Sequence, residues 1–185
     1  MRIWRAIPLD GAAGKHERGG PLWFPREQQG QGRHDNPERY GCIYGAEDPV
    51  SAIVESLARF RGSNRLTASM LMRFGRPLAL AEIEFPDDAP TVDLDDPALL
   101  AERELRPSLV ATHHRELTQN IAEDVYLEQG DVVGLRWWST FEATWRNWTL
   151  FGDRAGPLLS LVEVNRLRVD DPEVQEAAAI IGLDG

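Results

Sequence analysis

The chain has 185 residues, with 20 basic and 30 acidic side chains and a formal net charge of −10. At 42% hydrophobic residues it has an ordinary globular composition, and no apolar run reaches the roughly 18 residues of a membrane span. The first ten residues lack the apolar stretch of a secretory signal, so we expect a cytoplasmic protein. Cys42, the only cysteine, excludes an internal disulfide and is expected to be a small buried side chain.

Charge is unevenly distributed along the chain. Residues 1–80 contain 12 basic and 8 acidic side chains, whereas residues 81–185 contain 8 basic and 22 acidic ones. The overall negative charge repels polyanions, so binding to nucleic acid is not expected. The first half remains suited to a small anionic ligand held by a few arginines.

In chain order, the first half begins with an alternating segment at residues 1–8, which predicts a strand. Residues 11–32 are rich in Gly, Pro and Gln and predict a long loop. Residues 40–46 have strand composition. Asp48 and Pro49 then predict the start of a helix that extends to Phe60.

In the second half, strands and helices are not expected to alternate regularly. Residues 81–104 are acidic, and we interpret the aspartates there as a solvated turn before a helix that begins at Pro97. The other predicted elements are strands at 76–85, 132–141, 148–151 and 158–169, and helices at 113–129 and 172–182. This order favours one domain, residues 1–185, with an α+β fold of mixed or antiparallel sheets and flanking helices.

Several kinds of site are excluded or left open. His113 and His114 are neighbours and point about 100° apart on a helix, so no metal site is predicted. Gly30 and Gly32 lead into a turn and not a helix, which argues against a dinucleotide fold. The aromatic residues between Trp137 and Phe151 predict either core packing or a wall on which a flat heterocycle stacks.

Glu55 is the most informative polar residue. Its neighbours Ala52, Ile53, Val54 and Leu57 are apolar, so we expect part of its environment to be apolar, although an exposed helical glutamate fits the pattern equally well. If the carboxylate is buried it needs a partner, for which an arginine of the preceding loop is the simplest choice.

Seven segments, in order, resemble the RES domain family, which is named for its Arg, Glu and Ser. The resemblance extends over residues 4–151. The matching segments are Trp4-Arg5-Ala6, Gly32-Arg33-His34-Asp35-Asn36-Pro37, Tyr40-Gly41-Cys42-Ile43-Tyr44, Ala52-Ile53-Val54-Glu55, Thr118-Gln119-Asn120-Ile121-Ala122, Gly134-Leu135-Arg136-Trp137-Trp138-Ser139 and Asn147-Trp148-Thr149-Leu150-Phe151.

The resemblance implies a fold akin to that of ADP-ribosyltransferases, with NAD as substrate and no further cofactor. It implies that Arg33 and Arg5 contact the pyrophosphate or ribose, and that Tyr44 offers a ring face to the nicotinamide half. Glu55 would act at the nicotinamide ribose, and Ser139 would hydrogen-bond the ligand. Arg33, Glu55 and Ser139 are thus the predicted catalytic residues, and Arg5, Arg33, Tyr44 and Ser139 the predicted binding residues.

In many members the family activity depletes NAD as a toxin that a helix-turn-helix, Xre-like antitoxin silences, and a homodimer fits the family. The acceptor would be water or inorganic phosphate. The alternatives are ADP-ribosyl transfer to a macromolecule and a catalytically silent binding module. The chain departs from the family pattern at His34, where phenylalanine is common, and in the long acidic segment at residues 61–112.

Overall fold

The structure, a computed structural model, describes residues 1–184. The strands are β1 (Arg2–Pro8), β2 (Cys42–Ala46), β3 (Met72–Arg73), β4 (Arg76–Glu84), β5 (Thr91–Asp93), β6 (Gly134–Trp138), β7 (Arg146–Phe151) and β8 (Ser160–Arg166). The α-helices are α1 (Pro49–Leu57), α2 (Pro97–Glu102), α3 (Pro107–Val110), α4 (Arg115–Glu128), α5 (Gly152–Ala155) and α6 (Pro172–Ile180). This arrangement confirms the predicted α+β class.

The described residues group into two compact units. The first consists of residues 1–23, 45–84 and 160 onward, and the second of residues 24–44 and 85–159. Strand β2 contributes its beginning to the second unit and its end to the first. The prediction of a single domain stays a prediction.

In the first unit, β4 is the strand with the most partners. It pairs antiparallel with β1 from Leu78 to Glu84, and also with β3 and β8. Helix α1 packs against β1 and α6, because its apolar side chains recur at helical spacing on one face. The buried side chains of this core include Ile3, Ile7, Ile53, Leu57 and Ile83.

In the second unit, β6 pairs antiparallel with β7 and parallel with β5. On its other side β7 neighbours β2. The core of this unit is a continuous cluster that includes Tyr40, Cys42, Leu94, Leu135 and Phe151. Cys42 is fully buried, as expected for a small apolar side chain, and burial raises the pKa of its thiol.

The start of α1 follows from its sequence. Asp48 has extended backbone angles, and its carboxylate accepts a hydrogen bond from the backbone N–H of Ser51 at 3.0 Å, while Pro49 occupies the first turn. The predicted end is slightly wrong. The α-helix ends at Leu57, and residues Ala58–Phe60 form a 3-10 turn.

The acidic segment is only partly the solvated turn that its composition suggested. The predicted helix does begin at Pro97, capped by the Asp96 carboxylate. Asp95, however, lies 2.6 Å from the Arg146 guanidinium, and Asp93 lies in β5, 3.5 Å from Arg136. Basic side chains of β6 and β7 thus neutralise part of the segment, a long-range pairing that composition does not reveal.

Other predicted elements are shifted at their ends. The helix expected from His113 begins at Arg115, and the strand expected to reach Phe141 ends at Trp138. The short elements β3, α3 and α5 have too few residues to show a periodicity. Of the helices in residues 1–184, none has the length and hydrophobicity that a membrane-spanning helix needs.

Candidate functional site

The loop that carries Arg33 is held by side chains from its own unit. The Asp35 carboxylate accepts hydrogen bonds from the backbone N–H groups of Gly30 and Gly32, at 2.8 and 2.7 Å. From α4, Gln119 donates to the carbonyls of the same two glycines, and Thr118 donates to the Arg33 carbonyl. A glycine-rich loop that the sequence alone would leave mobile is therefore fixed in place.

Gly32 is required at its position by close packing. A Cβ atom there would lie 2.6 Å from the Asp35 Oδ1 atom and equally close to the Tyr44 hydroxyl. Because both neighbours are engaged in hydrogen bonds, a larger residue would break the loop anchor.

Tyr44 is oriented by both hydrogen-bonding functions of its hydroxyl. The hydroxyl donates to Asp35 Oδ1 at 2.7 Å and accepts from the His34 backbone N–H at 3.0 Å. Burial, the neighbouring Cys42 and Asp35, and the bond to Asp35 all raise the pKa of Tyr44 well above its usual range. The phenol therefore stays neutral, and its ring face is the part suited to meet a ligand.

Arg33 is buried, with 7% of its surface exposed. Its Nη1 donates to the backbone carbonyls of Val110 and Thr112, at 3.0 and 2.8 Å. The guanidinium carbon lies 4.8 Å from the centre of the Trp137 ring, which is cation–π geometry. Part of the guanidinium thus anchors the segment before α4.

His34 forms a buried chain of polar contacts with Thr149 and Trp137. The Trp137 indole N–H donates to Thr149 Oγ1 at 3.1 Å, and His34 Nδ1 lies 2.7 Å from the same oxygen. The Thr149 oxygen accepts the indole N–H, and the donor in its bond with Nδ1 depends on the imidazole tautomer. Burial, with the charges of Arg33 and Arg115, holds the pKa of His34 well below its usual range, so the imidazole is neutral.

Ser139 lies one residue beyond the end of β6 and is buried. Its hydroxyl oxygen accepts the backbone N–H of Phe141 at 3.1 Å, and its own N–H donates to the Trp145 carbonyl. The serine therefore shapes the turn between β6 and β7. It lies two residues after Trp137, the ring that stacks on Arg33.

The other two predicted site residues belong to the first unit. Arg5 lies in β1, and its Nη1 donates to the carbonyls of Pro21 and Trp23, at 3.2 and 2.9 Å. Burial lowers the pKa of Arg5 to about 10. Glu55 lies on α1 and is exposed, so the alternative of an exposed helical glutamate is correct and the expected apolar burial is wrong.

Asp35 and Thr149 were not singled out from the sequence, although they organise the cluster around Arg33. Asp35 carried one signal, since an aspartate three residues after a glycine often closes a turn on backbone N–H groups. Thr149 carried none, because its partners His34 and Trp137 are distant in sequence.

The structure also shows where the aromatic residues between Trp137 and Phe151 and the pair His113 and His114 lie. Trp137, Trp148 and Phe151 are buried, and Phe85 packs edge-on against Trp148, which is core packing. His113 and His114 are exposed. Within residues 1–184, no three His, Cys, Asp or Glu side chains are grouped as a metal site would require.

The fold and this cluster define an α+β protein whose second unit encloses a buried arginine and a tyrosine held by its hydroxyl. The RES domain family matches residues 2–172, so the chain belongs to that family. Among solved structures it is similar to a chain of the M. tuberculosis MbcT–MbcA toxin–antitoxin complex, with 19% identity and a TM-score of 0.64. That match covers 96% of this chain and 88% of the other, and it shows a shared fold. No curated protein sequence matches the chain significantly.

Proposed function

We propose that the protein cleaves the bond between nicotinamide and ribose in NAD, with water or inorganic phosphate as acceptor. The observation that carries this proposal is the cluster in which Asp35 and the His34 N–H hold the Tyr44 hydroxyl and Asp35 also holds the loop that carries Arg33, within a RES domain. An arginine in an anchored loop and a tyrosine whose ring is held by its hydroxyl together suit a ligand that has both a diphosphate and a flat heterocycle.

The chemistry sets the requirements for the site. When the C1′–N1 bond breaks, the bonding electron pair leaves with nicotinamide, whose ring nitrogen becomes neutral. The ribose acquires oxocarbenium character, which a carboxylate stabilises. Water or phosphate then forms the new bond to C1′. A water acceptor releases a proton, and the product is ADP-ribose or ADP-ribose-1″-phosphate.

We assign Glu55 the role of that carboxylate, on the strength of the family resemblance. Arg33 and Arg5 bind the diphosphate or ribose, and the Tyr44 ring contacts the nicotinamide half. Ser139 hydrogen-bonds the ligand or the acceptor. The pre-formed Arg33 loop supports this assignment, since a loop already ordered loses little entropy when a ligand binds.

We further propose that this activity is that of a toxin, and that a helix-turn-helix antitoxin silences it. The structural likeness to a chain of a toxin–antitoxin complex supports this proposal. In a cell that supplies NAD, such an enzyme would be damaging unless a partner blocked it. A homodimer and a cytoplasmic location belong to the same proposal.

The test is NAD cleavage by wild type and by Glu55→Gln, with and without inorganic phosphate, followed by mass spectrometry of the products. Because Glu55 is exposed, the variant should fold normally, and nicotinamide release should fall by about 100-fold to 1,000-fold. The matched control is Glu176→Gln, an exposed glutamate on α6, which should cleave NAD as wild type does.

Each outcome distinguishes between the candidate functions. Release that depends on phosphate establishes phosphorolysis, and release without it establishes hydrolysis. ADP-ribose attached to a protein or nucleic acid would favour the transferase. A folded wild type that releases no nicotinamide, or a Glu55→Gln variant with full activity, would refute the proposal and favour a binding module.

A further inference from the structure

A pocket in the first unit lies among residues that the proposed function does not use. It has a volume of about 460 Å³ and lies between the 3-10 turn Ala68–Leu71, with Met72 beside it, and residues 166–169. We call it the arginine-rimmed pocket. Its volume falls within the roughly 300–1,000 Å³ of typical ligand sites.

Apart from two arginines, the side chains that line the arginine-rimmed pocket are apolar. Leu71 and Leu167 are buried within it, and Met72 is 38% exposed. Arg166 and Arg168 are the charged lining residues, and both are exposed. An apolar floor with cationic side chains at its rim accepts a ligand that carries both apolar groups and negative charge.

Two more arginines lie beside Met72. Arg59 Nη2 donates to the Met72 carbonyl at 3.4 Å, and Arg73 is the next residue along β3. Burial and the charge of Arg59 both lower the pKa of Arg73, as expected when two like charges are held near each other. An anionic partner would relieve this repulsion.

These four arginines lack internal counter-ions. Across residues 1–184, the carboxylates that pair with arginines contact Arg2, Arg39, Arg76, Arg103, Arg136 and Arg146, and none lies within salt-bridge distance of Arg59, Arg73, Arg166 or Arg168. The chain has 30 acidic residues, so acidic groups are abundant. Four arginines without an internal counter-ion therefore lie at or next to this pocket of a strongly negative chain.

An exposed aromatic side chain completes the surface. Phe74, at the turn between β3 and β4, is 80% exposed and has a φ of 53°. Phe74 and Gly75, both at positive φ, form the two-residue turn of this hairpin, which presents the Phe74 ring to solvent. Arg73 lies 5.6 Å from the Phe74 ring centre. Aromatic, methionine and arginine side chains together are typical of protein interfaces.

We propose that the arginine-rimmed pocket and the adjacent β3–β4 turn bind an acidic peptide segment of a partner protein. Apolar side chains of the segment enter the pocket between Leu71 and Leu167, and its carboxylates pair with Arg166 and Arg168. Arg59, Arg73 and Phe74 extend the same surface. The inference is independent of the NAD chemistry, because none of these residues belongs to the proposed catalytic set.

The test uses three fluorescein-labelled 12-residue peptides, measured by fluorescence anisotropy on the full-length protein. One alternates Glu and Leu, the second replaces Glu with Lys, and the third replaces Leu with Ser. We expect saturable binding of the Glu-Leu peptide alone, weakened by salt because the contacts are ionic. Hydrogen exchange should show protection at residues 68–73 and 166–169.

Charge-reversal variants distinguish binding at this surface from a nonspecific effect of the protein's net charge. Arg166→Glu/Arg168→Glu should weaken binding by at least about tenfold, and Phe74→Ala by about threefold or more. The matched control, Arg18→Glu/Arg106→Glu, makes the same charge change at two exposed arginines elsewhere and should bind as wild type. Both double variants should retain NAD cleavage.

Four results would overturn the inference. They are absence of saturable binding, equal binding of the Lys-Leu peptide, equal weakening by both double variants, and protection elsewhere in the chain. Sedimentation velocity tests whether a second copy of the chain binds this surface instead. A wild-type dimer that becomes monomeric in Arg166→Glu/Arg168→Glu would assign the surface to self-association and would also overturn the inference.

Discussion

The Thr149 hydroxyl contacts two side-chain nitrogens, Trp137 Nε1 and His34 Nδ1, which have no other hydrogen-bond partner among residues 1–184. It accepts the Trp137 indole N–H and forms a hydrogen bond with His34 Nδ1, and all three residues are buried. Trp137 is also in cation–π contact with Arg33. The Thr149 hydroxyl therefore helps to hold the ring on which the proposed ligand-binding arginine packs.

Thr149→Val should therefore destabilise the protein more than an ordinary conservative change. The variant keeps the shape but leaves an indole N–H and an imidazole nitrogen unpaired, at about 1–3 kcal/mol for each group. Urea unfolding measures the loss. Thr144→Val, at an exposed turn position, should change stability by about 0.5 kcal/mol or less, and equal losses in the two variants would argue against the buried chain.

His34 predicts a pH dependence of stability. Its pKa in the folded protein is lowered, by burial first and then by Arg33 and Arg115, from an unfolded value of about 6.5. As the pH falls below about 6.5 the unfolded chain therefore binds a proton before the folded one, and His34 costs up to about 1.4 kcal/mol of stability per pH unit.

The slope of unfolding free energy against pH, measured between pH 7 and 5, tests this expectation. His34→Phe should flatten the slope, whatever its effect on stability at pH 7. His16→Phe, at an exposed histidine of the long loop, should leave the slope unchanged. If His34 titrated near pH 6.5 by NMR in the folded protein, the prediction would be wrong.

At the scale of the element, helix starts at Asp-Pro pairs were the most predictable features. Asp48 and Pro49 start α1 through a local hydrogen bond and a fixed φ, both of which depend on adjacent residues. Pro97 and Pro172 likewise occupy the first turns of α2 and α6. The Asp171 carboxylate instead accepts the backbone N–H of Arg168, so an Asp-Pro pair does not always supply the same cap.

Asp48→Ala should lower the free energy of unfolding by about 1 kcal/mol, because the Ser51 N–H loses its acceptor. Thermal or urea unfolding is the measurement. Asp170→Ala removes an exposed aspartate outside any helix and should have an effect of about 0.5 kcal/mol or less. A loss no larger in Asp48→Ala would show that the cap contributes little.

At the scale of the whole molecule, NAD should stabilise the protein if the proposed function is right. Glu55→Gln is the suitable form, since slow cleavage keeps the ligand intact. At free NAD of about 100 times Kd the expected gain is about 2.7 kcal/mol, which raises Tm by about 5–10 °C. ADP, which lacks the nicotinamide riboside, should raise Tm less, and an equal rise would contradict the role of the Tyr44 ring.

The structure shows which charged side chains pair with each other, which the sequence composition did not show. The acidic segment in the second half has part of its charge neutralised by Arg136 and Arg146. In the first unit, Arg166 and Arg168 line one pocket, and Arg59 and Arg73 lie beside its lining residue Met72, with no internal counter-ion for these four in the described chain. The net charge of each half of the sequence therefore predicted the sign of the charge but not which charged side chains lie next to each other.

The roles of the candidate site residues stay predictions. The ordered resemblance to the RES family assigned roles to Arg33, Tyr44, Glu55 and Ser139, and the family match confirms the membership alone. Whether Glu55 is buried could not be decided, because apolar neighbours on a helix face several directions. The helix packs its apolar stripe inward, which leaves Glu55 exposed.

The sequence by itself determined the α+β class, the caps, most strands and the family, because these depend on periodicity and on neighbouring residues. Only the tertiary structure decided which side chains form hydrogen bonds and ion pairs with each other. Asp35 fixes Tyr44, Thr149 joins His34 to Trp137, and Arg33 anchors the segment before α4. These contacts join residues up to 115 positions apart, and hydrogen bonds over such separations leave no periodic trace in a single sequence.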